Sequence, residues 1–262
     1  MKKDGKKQLI MENKVGEYHF TIRPFEVDFR NKLTLPLLIN YLLNVAGYHA
    51  DARGFGMEKI NKDNRSWVLS RIAIELYKYP VNNDEIMIQT WVENVMKMFT
   101  LRNFAIVGKN NEIYGYAKTV WAMIDTVTRK PVSLTDEKIN SFICDKECPI
   151  ERSVKFAAPQ SESFLCENFK VKYSDIDINK HLNSSKYVEY IVDAFSLQEF
   201  NDKDISRLET EFVEECLFGE EISIFKTEIS KQEYLIDLKN NEGKTVCKSK
   251  VRFNSTAAKQ DS

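Results

Sequence analysis

The stretch Tyr173-Ser174-Asp175-Ile176-Asp177-Ile178-Asn179-Lys180-His181-Leu182-Asn183-Ser184-Ser185-Lys186-Tyr187-Val188-Glu189-Tyr190 runs polar, chemically active residue types straight into a helix start. Asp177, Asn179 and His181 recur at every second position, so an extended backbone would send all three side chains from one face. From about Ser184 the spacing predicts a helix with Tyr187, Ile191 and Phe195 on one stripe and Val188 and Val192 beside it. Asp175, Asn183, Ser184 and Ser185 are ordinary turn and cap formers and need no functional explanation. His181 is different, because the chain has only three histidines and this one shares a face with a carboxylate and a carboxamide.

Upstream, residues 18–29 alternate as a first strand that ends near Asn31. A helix follows, with Thr34 as N-cap, Pro36 in the first turn and Leu38, Tyr41, Leu42, Val45 and Ala46 on one face; Gly54 and Gly56 mark its end. Four segments rich in β-branched and aromatic residues then run over 66–77, 85–95, 99–107 and 114–125, with a turn at Lys109-Asn110-Asn111-Glu112. After a weakly patterned segment the order repeats. A strand over 169–178 and the helix from Ser184 precede further strands over 208–218, 221–229, 234–238 and 245–253.

The halves align. Arg71-Ile72-Ala73-Ile74-Glu75 lies over Arg207-Leu208-Glu209-Thr210-Glu211 at an offset of 136 residues, which also sets Asp84-Glu85-Ile86 over Glu220-Glu221-Ile222. Asn110-Asn111-Glu112 resembles Asn240-Asn241-Glu242 after a small gap. Three matches in order predict a duplicated strand-helix-sheet unit in an α+β fold. The copies differ where chemistry is concentrated. Opposite Asp177, Asn179 and His181 the first half has Asp28, Arg30 and Lys32, and opposite Glu215 it has Tyr79.

A net charge of −1 supplies no field to attract nucleic acid. Five irregularly spaced cysteines without a CxxC predict free thiols in a reducing compartment and no metal site, and nothing calls for a cofactor. The most apolar stretch, 33–47, is interrupted by Pro36 and Asn40 and is too short to cross a bilayer. The basic N-terminus lacks the apolar run of a secretory signal.

Asp177-Ile178-Asn179-Lys180-His181-Leu182-Asn183, then Lys186-Tyr187 and Glu214-Glu215-Cys216, resemble the catalytic half of the acyl-acyl-carrier-protein (acyl-ACP) thioesterases. Trp67-Val68-Leu69-Ser70-Arg71, Tyr79-Pro80, Thr90-Trp91, Trp121 and Thr128-Arg129 match the order of that family's first half, so the resemblance runs from about residue 17 to 254. It implies a tandem (double) hot-dog fold. The expected layout is a frayed N-terminus (1–16), an N-terminal unit that shapes the acyl pocket (17–130), a linker (131–167), a catalytic C-terminal unit (168–254) and a tail (255–262). The implied activity is release of free fatty acid from acyl-ACP. Acyl-coenzyme A hydrolysis and a non-catalytic module that binds acyl thioesters are the competing readings.

The resemblance also implies roles. Asp177 and Glu215 supply carboxylates while Asn179 and His181 orient water and polarise the carbonyl; Glu215 is taken as the base and Asp177 as the residue that holds the other two. A rival scheme makes Cys216 a nucleophile with His181 as its base. In a regular strand Cys216 and Glu215 point to opposite faces, and Cys216 falls on the more apolar one with Leu208, Thr210, Phe212 and Phe218, which favours Glu215. Leu38, Tyr41, Leu42 and Val45 are candidates to border the acyl chain, although such a helix face is first of all core. Lys170, Lys172, Lys180 and Lys186 are candidates to receive an acidic carrier protein bearing a phosphopantetheine arm. No transit-type leader is evident, so a cytoplasmic setting is expected; a homodimer is compatible with the sequence.

Overall fold

The structure, a computed structural model, describes residues 14–134, 137–153, 156 and 162–255. The expected fraying before residue 14, the tail beyond 255 and parts of the expected linker lie outside the described residues. The chain divides into two units, one comprising residues through Arg71 plus Tyr77–Arg152, the other Ile72–Leu76 plus the chain from Ser153.

In the first unit, β1 (Gly16–Thr21) leads through a 3-10 turn at Pro24–Glu26 to α1 (Leu35–Asp51) and α2 (Met57–Asn61). The sheet strands β2 (Arg65–Leu76), β3 (Glu85–Val95), β4 (Phe99–Val107) and β5 (Ile113–Asp125) follow, in spatial order β1-β3-β4-β5-β2. β3 and β4 end where the alternation placed them; β1 stops earlier, because Pro24 has no N–H for a ladder and opens a turn. α1 lies against β1 and β3, with Leu38, Ile39, Leu42, Val45 and Ala46 buried. Thr34 occupies its N-cap without a side-chain hydrogen bond, and Pro36 fills the first turn, where a missing N–H costs nothing. Residues 142–148 belong to this unit: Cys144 N donates to Val92 O (2.9 Å), and the Trp91 indole N–H donates to Lys146 O (2.8 Å). The short α3 (Glu137–Asn140) comes just before that segment.

The second unit repeats the plan with β6 (Phe164–Lys170), a 3-10 turn at Tyr173–Asp175, α4 (Ser184–Asp193) and α5 (Leu197–Asp202). Then come β7 (Lys203–Phe212), β8 (Glu221–Ser230), β9 (Glu233–Asn240) and β10 (Thr245–Ser255), ordered β7-β10-β9-β8-β6. The ladders β1–β3, β3–β4, β4–β5, β7–β10, β10–β9, β9–β8 and β8–β6 are antiparallel, and one principal helix with antiparallel strands, twice over, is the expected tandem hot-dog plan. α4 buries Tyr187, Val188 and Ile191, and Lys226 closes its end by donating to Ala194 O (2.8 Å).

β7 is shorter at its C-terminal end than the expected strand over 208–218. It ends at Phe212, where the amides of Val213 and Glu214 both turn onto Val246 O, at 2.9 and 3.1 Å. Two donors on one carbonyl break the ladder and bend the chain. Phe218, expected on the packed face, is consequently 68% exposed.

Candidate active site

The stretch 177–181 is a tight turn, not the extended segment that its alternation suggested. Asp177 Oδ1 accepts from the amides of Asn179 (2.8 Å) and His181 (3.2 Å), and Asp177 N donates to His181 O (2.8 Å). Lys180 takes the left-handed conformation (φ 66°) that closes it. A short aspartate satisfying its own downstream amides is ordinary turn chemistry, and it fixes the backbone of His181. Asn183 then caps α4, its Oδ1 accepting from Ser185 N at 3.0 Å.

The other wall is the bent chain after β7. Leu182 N donates to Cys216 O (2.8 Å) and His181 bridges Leu217, so Glu215 comes alongside His181. His181 Nδ1 lies 3.4 Å from Glu215 Oε1, with the imidazole 21% and the carboxylate 37% exposed. That leaves both groups open to water and close enough to exchange a proton through it. Asn179 is exposed, and its side chain makes no hydrogen bond among the described residues.

Cys216 is fully buried. Burial, with added repulsion from Glu220 and Glu214 and against a hydrogen bond with Tyr187, pushes its thiol up to about 11. The Tyr187 hydroxyl donates to Glu214 O and accepts from Cys216 N, both at 3.1 Å, thereby holding the residues on either side of Glu215. Sequence reasoning placed Tyr187 on the buried stripe and did not assign this role; a buried phenol in need of a partner was the available signal.

The first unit builds the same corner. Asp28 Oδ1 accepts from Arg30 N (2.8 Å) and Lys32 N (3.0 Å), and Asp28 N donates to Lys32 O (2.8 Å). Asn31 is left-handed (φ 63°), Leu33 N donates to Pro80 O (2.8 Å), and Tyr77 and Lys78 share Tyr114 O. Where His181 meets Glu215, however, Lys32 Nζ sits 5.7 Å over the Tyr79 ring.

Lys170, Lys172 and Lys180 are exposed, and Lys180 lines a shallow depression with Tyr173, Ile178 and Phe218. Lys186 is engaged elsewhere, donating to Glu189 (2.9 and 3.0 Å) and lying 3.7 Å from the buried Asp175. Burial opposes its charge, but those carboxylates outweigh burial and raise its pKa. In the first unit, Leu38, Leu42 and Val45 are buried and the half-buried Tyr41 donates to Glu26 (2.6 Å). The neighbouring stripe Leu43, Ala46, Gly47 and Ala50 instead lines a cavity of about 150 Å³.

Comparison with known proteins gives a consistent set of similarities. The family model for the acyl-ACP thioesterase N-terminal domain matches residues 13–142, and that for the C-terminal domain matches residues 158–255. A crystal structure of an acyl-ACP thioesterase from Bacteroides thetaiotaomicron is 46% identical, with a TM-score of 0.88 over 93% of this chain and 99% of that one. The 12:0-ACP thioesterase from Umbellularia californica has a TM-score of 0.80 at 20% identity over 93% of this chain and 98% of that one, a likeness of fold. A chloroplastic palmitoyl-acyl carrier protein thioesterase from Gossypium hirsutum is 26% identical over 80% of this chain. This chain spans about half (54%) of that relative's length.

Proposed function

The chain belongs to the acyl-ACP thioesterase family, and from that premise we propose that it hydrolyses the thioester of acyl-acyl-carrier protein and releases free fatty acid. The observation that carries this reading is the 3.4 Å approach of His181 Nδ1 to Glu215 Oε1, at a corner whose counterpart has no acid-base pair. Glu215 takes a proton from water as the water oxygen bonds to the carbonyl carbon. The resulting oxyanion is stabilised by His181 and by the positive end of α4. The C–S bond then breaks, and the proton passes to the departing thiolate, which leaves as phosphopantetheine thiol.

Asp177 has a positioning role, since its carboxylate is committed to the amides of Asn179 and His181. The buried thiol of Cys216, with its raised pKa, supports water over a cysteine nucleophile. Lys170, Lys172 and Lys180 are the exposed cations available to an acidic carrier protein, and the five free cysteines suit a reducing, cytoplasmic setting. Among the described residues no helix is long and apolar enough to cross a membrane.

Thiol release from acyl-ACP and from acyl-coenzyme A by the purified protein tests the reading. Faster release from the carrier protein is expected, and its KM should rise with salt as docking is screened. No release from either substrate refutes hydrolysis, and release from coenzyme A alone refutes the carrier assignment.

A further inference from the structure

Glu215 sits between two main-chain groups that a single side chain holds. Tyr187, on the first turn of α4, is 4% exposed, and its ring lies edge-on to Phe212 at the end of β7, with centroids 5.6 Å apart. That packing fixes where the hydroxyl points. It donates to Glu214 O and accepts from Cys216 N, both at 3.1 Å. Burial first, and then the neighbouring Cys216 thiol, raises the phenol well above its usual range, so it stays a donor. On the other side Cys216 O accepts from Leu182 N (2.8 Å), which ties the same residue to the turn that carries His181. The first unit has Leu38, buried on the first turn of α1, in the place of Tyr187, and Pro80 in the place of Cys216; Pro80 O accepts from Leu33 N at 2.8 Å as Cys216 O does from Leu182 N. A proline has no N–H to satisfy and its ring already limits the backbone, so an apolar Leu38 suffices there. Hydroxyl and amide are present together beside Glu215 and absent together beside Tyr79.

We propose that Tyr187 is a positioning residue for the hydrolysis, its hydroxyl setting the backbone on both sides of Glu215 so that the carboxylate meets His181 and the attacking water. The role rests on the thioesterase reading and on Glu215 as the base. Beyond Phe212 the chain has left β7, so Glu215 owes its place to the groups beside it rather than to that strand's ladder. Its carboxylate is 37% exposed and is held less by burial than by its backbone. A shift of about 1 Å in a reacting group can cost about 10²-fold in rate. Satisfying the buried amide of Cys216 would need only an acceptor; the second bond, donated to Glu214 O, is what closes the clamp across position 215.

Steady-state kinetics of the intact protein on acyl-ACP, in a double-mutant cycle of Tyr187→Phe with Glu215→Gln, tests this. Tyr187→Phe is expected to lower kcat about 10–100-fold and to leave KM within about twofold. In the Glu215→Gln background the same replacement should change the residual kcat less than about twofold, because no carboxylate is left to aim. Wild-type kcat in Tyr187→Phe, or an equal fold-loss in both backgrounds, overturns the proposal; the second result is what a purely structural role gives. If the phenylalanine variant does not fold, Tyr187→4-aminophenylalanine takes its place in the cycle. Its amine still donates to Glu214 O but accepts poorly, so a smaller loss of kcat, again confined to the protein with Glu215, is expected, and the same two results overturn the role. No turnover by the wild-type protein removes the hydrolysis reading and this role with it, whereas full turnover in both the wild type and Tyr187→Phe removes the role alone.

Discussion

The corner of Asp28, Lys32 and Tyr79 and the corner of Asp177, His181 and Glu215 share their main-chain hydrogen bonds and differ at their tips, and Asp28 also accepts from the Arg30 guanidinium. Each has an aspartate over its own downstream amides, a left-handed residue that closes the turn, and a pair of amides crowded on one carbonyl. One tip sets an ammonium over a phenol ring, and the other sets an imidazole against a carboxylate. The first tip offers no carboxylate to take a proton from water, and the second sets a carboxylate and an imidazole side by side. Backbone construction and chemical capability are therefore separable in this molecule.

The strongest way to break the comparison is at the tips. Glu215→Gln and His181→Ala should each lower kcat for thiol release by about 10²–10⁴-fold with an unchanged circular dichroism spectrum, whereas Tyr79→Phe and Lys32→Met should leave kcat within about twofold. Comparable losses at both corners would make the asymmetry meaningless.

A second test sets the buried histidine of the first unit against the accessible one of the second. His49 is fully buried, and burial, reinforced by Arg102 and Arg53, lowers its pKa to about 2. Below about pH 6.5 the unfolded chain takes a proton at this position that the folded chain refuses, so stability is complete above that pH and falls on acidification. Denaturation by urea at about pH 7 and at about pH 4.5 should differ by roughly 2–3 kcal/mol from this residue. His49→Gln should flatten that slope; an unchanged slope would rule His49 out as its source.

The aspartates sharpen the comparison on a smaller scale. Asp28→Ala and Asp177→Ala each strand two amides, so both should cost about 1–2 kcal/mol in thermal unfolding. Only Asp177→Ala should also lose activity, by roughly tenfold or more, through a displaced His181. Equal activity in the two variants would remove the positioning role. The least effect is expected at Cys216→Ala, where kcat should stay within a few-fold because a buried, protonated thiol does no chemistry.

Much of this was legible in the sequence. The ends of β3 and β4, the face of α1 and the order of elements follow from periodicity, because alternation and helical stripes report burial directly. The pairing of position 215 with position 79 followed from the repeat. What alternation could not report is a side chain that folds back on its own backbone, as Asp177 does, so a turn read as a strand. Nor could it see Val246 O terminate β7 early, because that carbonyl is remote in sequence. The cavity was missed for a related reason: Leu43, Gly47 and Ala50 lie beside the most apolar stripe of α1, and the place where packing leaves room depends on neighbours that no local pattern names.

The shared geometry of the two corners bears on how such a protein can change. The turn is held by main-chain groups and one aspartate, and the two residues at each tip give it at most their backbone. Their side chains are interchangeable cargo on a fixed mount. A gene that carries the mount twice can keep one copy for shape and let the other drift toward reactivity, without redesigning the fold that supports either.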